Sequence, residues 1–230
     1  VPKLVASPRY YTISSSSYAN PDKISLTVIV STAKKPRNRV YNGICSTYLS
    51  KLKPYKDTVS VFVRPSTFRL PRQLSTPIIM CGPGTGIAPF RAFWQEAVHK
   101  IQQDNIEIGN WSLYFGCRYK KIDWIYEDEM KDAQKKNALS NIHLAFSREQ
   151  KQKIYIQNLM QQQDHSAEIW NILHKQRGYI YVCGASAMGR NIKDSLVNIA
   201  QEYGNLSEAK AKGYIKKLQD KHRYIQELWS

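Results

Sequence analysis

Hydrophobic positions change rhythm near residue 76. Beyond it, short unbroken apolar runs alternate with stretches of helical spacing. Ile78-Ile79-Met80-Cys81, Trp111-Ser112-Leu113-Tyr114-Phe115, Ile142-His143-Leu144-Ala145-Phe146 and Tyr179-Ile180-Tyr181-Val182-Cys183 each read as a buried strand, and each is followed by a helical pattern. This succession predicts βαβ units and a doubly wound parallel sheet. A helix over 206–218 leads to a last short strand over 223–228. Before residue 76 the pattern is β-rich. Residues 10–14 and 24–31 read as strands around the loop 18–22, and 58–64 are rich in β-branched side chains. Residues 43–52 carry apolar positions at helical spacing behind a glycine. Two prolines, Pro71 and Pro77, mark a boundary, dividing the chain into lobes 1–75 and 76–230.

The first strand of the second lobe runs into Gly82-Pro83-Gly84-Thr85-Gly86-Ile87-Ala88-Pro89. Alternate glycines there let backbone approach a ligand, and the N–H groups opening the next helix face an anion such as a pyrophosphate. The strict G-x-G-x-x-G spacing fails, because residue 87 is Ile, and no Gly-Lys-Ser/Thr follows, which excludes a P-loop. A purely structural strand–turn–helix corner fits the same residues. In a doubly wound sheet the ligand lies beyond the carboxyl ends of the strands. Gly82, Cys117, Arg118, Ser147, Arg148, Cys183 and Gly184 therefore share one rim.

The four cysteines, at 45, 81, 117 and 183, show no CxxC pair and no zinc spacing, so no metal site is expected and reduced thiols in an intracellular protein are. No apolar run reaches membrane-spanning length. With 34 Lys and Arg against 18 Asp and Glu, the net charge is +16. Such a field attracts nucleic acid, anionic membrane or an acidic protein. The densest basic stretch, Lys34-Lys35-Pro36-Arg37-Asn38-Arg39, reads as a loop, and no recognition-helix or RNP-type motif is present. Nucleic acid is thus not an expected partner.

These blocks, with Arg9-Tyr10-Tyr11-Thr12 before them and Trp229-Ser230 at the end, resemble the FAD/NADPH half of the diflavin reductases, within the ferredoxin–NADP reductase superfamily. The resemblance runs from about residue 7 to the last residue, with its motifs in the family's order. It implies an α/β chain: a Rossmann-like parallel sheet for the NADP lobe, preceded by part of an antiparallel β-barrel for the FAD lobe, with residues 223–230 reaching back to the flavin. It also implies a piece of a longer protein, since the Arg-x-Tyr-Ser strand lies well inside the family's flavin domain. The implied cofactors are NADP(H) and FAD. FMN would sit in an acidic flavodoxin-like domain outside the chain and pass electrons to a downstream acceptor protein. The implied location is the cytoplasm or the cytosolic face of a membrane.

Residue by residue, Arg9, Tyr10, Tyr11 and Thr12 match the family's Arg-x-Tyr-Ser motif. A strand projects Arg9 and Tyr11 together, a guanidinium can clamp a pyrophosphate, and a tyrosine ring can lie against the isoalloxazine. Thr12 stands where Ser is usual. Thr27 joins the implied flavin set, as do Gly43, Ile44, Cys45 and Ser46, which resemble the Gly-Val-x-Thr/Ser segment that meets the FAD diphosphate. Gly84 and Thr85 are the implied nicotinamide-cofactor turn, with Arg118 placed at the 2′-phosphate or the pyrophosphate. Ser147, Arg148, Lys153, Tyr155 and Gln157 match the pocket for the adenosine 2′-phosphate, a dianion that needs cations and hydroxyls. Met188 matches a residue packed near the cofactor. Thr12, Cys183, Glu227 and Trp229 form the resembled catalytic cluster, with Glu227 where Asp is usual and Trp229 stacked over the flavin, as in the P450-reductase branch. Ala185 replaces a frequent Asp. Ser46 after Cys45, and Lys121-Ile122-Asp123-Trp124-Ile125-Tyr126, resemble the nitric oxide synthase branch instead. A non-catalytic basic interaction domain retaining the fold is the competing reading; a flavin spectrum that bleaches with NADPH separates the two.

Overall fold

The computed structural model describes residues 8–36 and 39–229, so Arg37, Asn38 and Ser230 of the motifs above lie outside it, as do the side chains of Lys34 and Lys35. In chain order the elements are strands β1 (Thr32–Lys35) and β2 (Arg39–Asn42), helix α1 (Ile44–Lys51), β3 (Ile78–Cys81), a 3₁₀ turn (Gly84–Ile87), α2 (Ala88–Asp104), β4 (Trp111–Cys117), α3 (Lys120–Asp123), α4 (Glu127–Lys135) and β5 (Asn141–Phe146). There follow α5 (Ile156–Met160), α6 (Gln163–Trp170) with a π-helical continuation (Asn171–Lys175), β6 (Tyr179–Ala185), α7 (Ser186–Gly204), α8 (Glu208–Asp220) and β7 (Tyr224–Trp229).

The chain enters its main sheet at the centre. The order β5-β4-β3-β6-β7, parallel throughout, means that it winds outward through β4 and β5, then crosses back to β6 and β7. The reversal lies between β3 and β6, the switch point where such sheets bind ligands. Side-chain alternation explains why helices cover both faces. Ile79, Cys81, Ile180 and Val182 pack with buried residues of α5–α8 on one face. Ile78, Met80, Tyr181 and Cys183 pack with Phe90, Phe93, Trp94 and Met130 of α2 and α4 on the other.

The proline-flanked segment before β3 is fastened rather than free. Phe68 stacks among Phe90, Phe93 and Tyr181. The Tyr181 hydroxyl donates to the Arg69 carbonyl at 2.7 Å, and the Trp111 indole donates to the carbonyls of Leu74 and Thr76, both at 3.2 Å.

The first lobe departs from the strand pattern. Residues 10–14 and 24–31 form a single antiparallel bridge, Ile13 with Leu26, supported by Ser14 N donating to the Ser25 carbonyl at 2.8 Å. Residues 58–64 have no regular secondary structure and enter no ladder among the described residues. The β1–β2 hairpin is the one regular sheet described there. The physical reason is that β-propensity becomes a strand only where a neighbouring edge accepts its N–H and C=O groups. This lobe is seated on the other by its serine run: Ser14, Ser15 and Ser16 are buried. Arg91 donates to the Ser14 carbonyl at 2.9 Å, and Ser16 N donates to Gln95 at 3.1 Å.

Candidate functional site

A cavity of about 450 Å³ opens between the lobes, within the usual range for small-molecule sites. Its lining brings together Arg9, Tyr10, Tyr11, Thr12, Thr27, Gly43, Ile44, Cys45, Ser46 and Trp229, the residues assigned to the flavin from sequence, with Thr85 of the switch-point turn and Ala88 at the start of α2. Val28, Ile29 and Ser31 complete it without having been singled out; their place in the apolar run around Thr27 was the available signal. Local geometry accounts for the gathering. Residues 9–12 and 27–31 run side by side through the Ile13–Leu26 bridge. The Gly43 amide donates to the Ser31 carbonyl at 2.8 Å and the Ser46 hydroxyl accepts from Ser31 N at 3.2 Å, which plants the start of α1 against the same wall.

The chemistry of the wall fits a flat, partly apolar, anionic ligand. Tyr10 is 65 % and Ile44 82 % exposed, surface that an aromatic ring system would cover. Arg9 supplies a cation and α1 its first-turn N–H groups. Tyr11 is pushed up to about 12 by burial, then by a hydrogen bond with Cys45, so it remains a neutral phenol.

At the switch point two glycines have distinct work. Gly84 has φ +56° with open space where a Cβ would project, so bare backbone faces the rim. A Cβ on Gly86 would fall 2.1 Å from the Cys183 carbonyl oxygen, so only glycine lets the turn sit against β6. On that strand Cys183 is fully buried and pairs in register with Glu227 of β7. Burial raises the Cys183 thiol, and the nearby Glu227 carboxylate raises it further, so it is a thiol and not a thiolate. Burial also pushes Glu227 above the ordinary carboxylate range, opposed by a hydrogen bond with the Thr12 hydroxyl. Glu227 thus faces Thr12 of the first lobe and neighbours Cys183 on its own sheet. Trp229, 41 % exposed, ends β7 with its carbonyl held by the Ser186 hydroxyl at 3.1 Å. Met188 lies over Gly184 and packs into the core, a packing position.

The remaining assigned residues form a separate group on the outer rim. Ser147 N donates to the Cys117 carbonyl at 2.9 Å and Arg148 N to the Arg118 carbonyl at 3.0 Å, extending the β4–β5 ladder past the sheet and setting Arg118, Ser147 and Arg148 side by side. Lys153 and Tyr155 are exposed, and Gln157 half-buried, at the start of α5. Tyr155 N donates to Asn158 at 2.9 Å. Asp123 escaped notice in the sequence. Its carboxylate forks onto Arg118 at 2.9 and 3.1 Å and is held below the ordinary range, first by that bond. Asp123 closes α3 five residues after Arg118, a separation that carries no periodic signal. Cys117 is pushed up to about 11, chiefly by burial.

Comparison with known proteins adds kinship to this geometry. Residues 80–194 match the model of the oxidoreductase NAD-binding domain, and residues 1–48 that of the FAD binding domain. The chain is 42 % identical over 227 residues to the NADPH–cytochrome P450 reductase of Drosophila melanogaster, covering 97 % of this chain and 33 % of that protein. It is 39 % identical to that of Cavia porcellus, over 100 % of this chain and 34 % of the relative. It is also 38 % identical to the inducible nitric oxide synthase of Mus musculus, over 98 % and 20 %. The chain therefore spans about a third of the reductases' length.

Proposed function

We infer the activity from kinship and geometry together: the chain belongs to the diflavin reductases, as their FAD- and NADPH-binding half. It is an NADPH-dependent oxidoreductase module that moves electrons from NADPH to FAD. The observation that carries this reading is the cavity between the lobes, where Arg9, Tyr11, Thr12 and Cys45 of the first lobe face Thr85 of the switch-point turn and Trp229 of β7.

Within that reading, Arg9 and the α1 amides hold the FAD diphosphate, and Tyr10, Tyr11 and Ile44 pack against its rings. Gly84 and Thr85 take the nicotinamide cofactor's pyrophosphate. Ser147, Arg148, Lys153 and Tyr155 take its 2′-phosphate. When bound, the nicotinamide supplies a hydride that the flavin accepts. The chain's own contribution is placement and charge. Thr12 and Glu227 would present a hydroxyl and a carboxyl beside the transfer path, with the buried Cys183 thiol in register with Glu227 on the next strand. Trp229 lines the cavity and would cover a flavin ring bound there, so it would have to move aside to admit a nicotinamide ring. Losing one aromatic stack costs about 0.5–1.5 kcal/mol beyond burial, small enough for a gate.

Beyond this chain, we propose that an acidic FMN-carrying module docks on the basic surface and passes electrons to a heme or other acceptor protein. The net charge of +16 supports such a partner. Calorimetric titration of the chain with FAD and with NADP⁺ tests the two sites. The expected result is one equivalent of each, bound independently; competition between them would show that a single site had been divided wrongly.

A further inference from the structure

We propose that Tyr126 is a positioning residue for the flavin cavity, acting from the nucleotide side through Thr27. The proposal rests on reading that cavity as the FAD site. Thr27 lines the cavity wall, and its hydroxyl lies 2.9 Å from the Tyr126 hydroxyl. Among the described residues, no other side-chain hydrogen bond joins residues 24–31 to the nucleotide lobe.

The geometry around Tyr126 is arranged to aim its side chain. It is the residue before α4 and has φ +61°, a left-handed conformation that bulky residues rarely adopt. Its ring is held from one side by the Arg91 guanidinium, 4.6 Å from the ring centre. Arg91 is in turn fixed by a fork onto Glu129, both bonds 2.8 Å, and it donates to the Ser14 carbonyl at 2.9 Å. One cation therefore grips the flavin-side backbone at Ser14 and steadies the phenol that grips Thr27. These two holds flank the Ile13–Leu26 bridge, one on each of its segments, so together they set the cavity wall's position relative to the switch-point turn. A flavin bound against that wall inherits its distance from the nicotinamide.

The test is a double-mutant cycle on the whole chain, with Tyr126→Phe, Thr27→Val and the pair. FAD binding is read by quenching of flavin fluorescence, NADP⁺ binding by calorimetry, and amide exchange is followed without cofactor. Tyr126→Phe keeps the ring on Arg91 and removes only the hydroxyl. Each single change should weaken FAD binding about tenfold, the worth of one hydrogen bond, and the pair little more than either. NADP⁺ affinity should stay unchanged, and exchange over residues 24–31 should quicken in Tyr126→Phe. Normal FAD uptake by both the wild type and Tyr126→Phe overturns this proposal alone. Fully additive losses, or equal weakening of FAD and NADP⁺, also overturn it in favour of general loosening. Failure of the wild type to take up FAD overturns the cavity assignment and this proposal with it.

Discussion

A dianionic phosphate is distinguished from a ribose hydroxyl by charge and hydrogen bonds acting together, and Arg148 is an outer-rim cation proposed for this role. It stands beside Arg118, whose guanidinium is already engaged by Asp123. Arg148→Ala should therefore raise the KM for NADPH by about 10–100-fold while leaving that for NADH nearly unchanged, since a charge-assisted bond contributes about 1.5–3 kcal/mol. Equal effects on both cofactors would place the 2′-phosphate elsewhere. Glu227 makes a prediction in pH. Burial raises its carboxyl, so the folded chain holds the proton more tightly than the unfolded one. The group thus contributes stability at acid pH that is lost as pH rises from about 4, the ordinary carboxylate value, through its raised value. Glu227→Gln should remove that decline, read as denaturation midpoints across pH. It should also slow electron transfer to FAD, because the Thr12 contact is altered at the transfer site. A midpoint profile identical to the wild type would show that Glu227 is not buried as described.

At the scale of elements, the 3₁₀ turn between β3 and α2 joins fold to function. Gly86 is pressed against the Cys183 carbonyl, whereas Gly84 faces open space. Gly86→Ala should destabilise the chain by about 1–3 kcal/mol, the range for forcing added volume into a packed site. It should also disturb Cys183, and thermal unfolding with cofactor titration reads both effects. Gly84→Ala meets no neighbour and should lose only about 1–2 kcal/mol through its positive φ. These elements were legible in the sequence, because strands buried on both faces are written as continuous apolar runs, such as Ile78-Ile79-Met80-Cys81. The first lobe was not equally legible. Residues 58–64 have the composition of a strand, but pairing depends on a distant edge that composition does not encode, and they join no ladder among the described residues. Of the site, motif residues such as Arg9, Thr12 and Cys183 could be named in advance. The roles of Arg91 and Tyr126 could not, because each takes a partner from the other lobe, Ser14 and Thr27.

For the whole molecule, two lobes of different regularity share one cavity, with exposed apolar side chains such as Val61, Phe62 and Val63 on the first and a continuous core in the second. A cofactor bound between them should stabilise the chain as a unit, by about 2.7 kcal/mol at a hundredfold excess over its dissociation constant. If the proposed acidic partner docks on the positive charge, its affinity should fall steeply with salt. The central claim is that this chain moves electrons from NADPH to FAD. Its most direct measurement is anaerobic mixing of the FAD-loaded chain with NADPH or NADH while flavin absorbance is followed. Rapid bleaching with NADPH, and a preference over NADH of about 10²–10⁴-fold from two or three charge-assisted contacts, is the predicted result. A bound flavin that NADPH leaves unbleached would contradict the account.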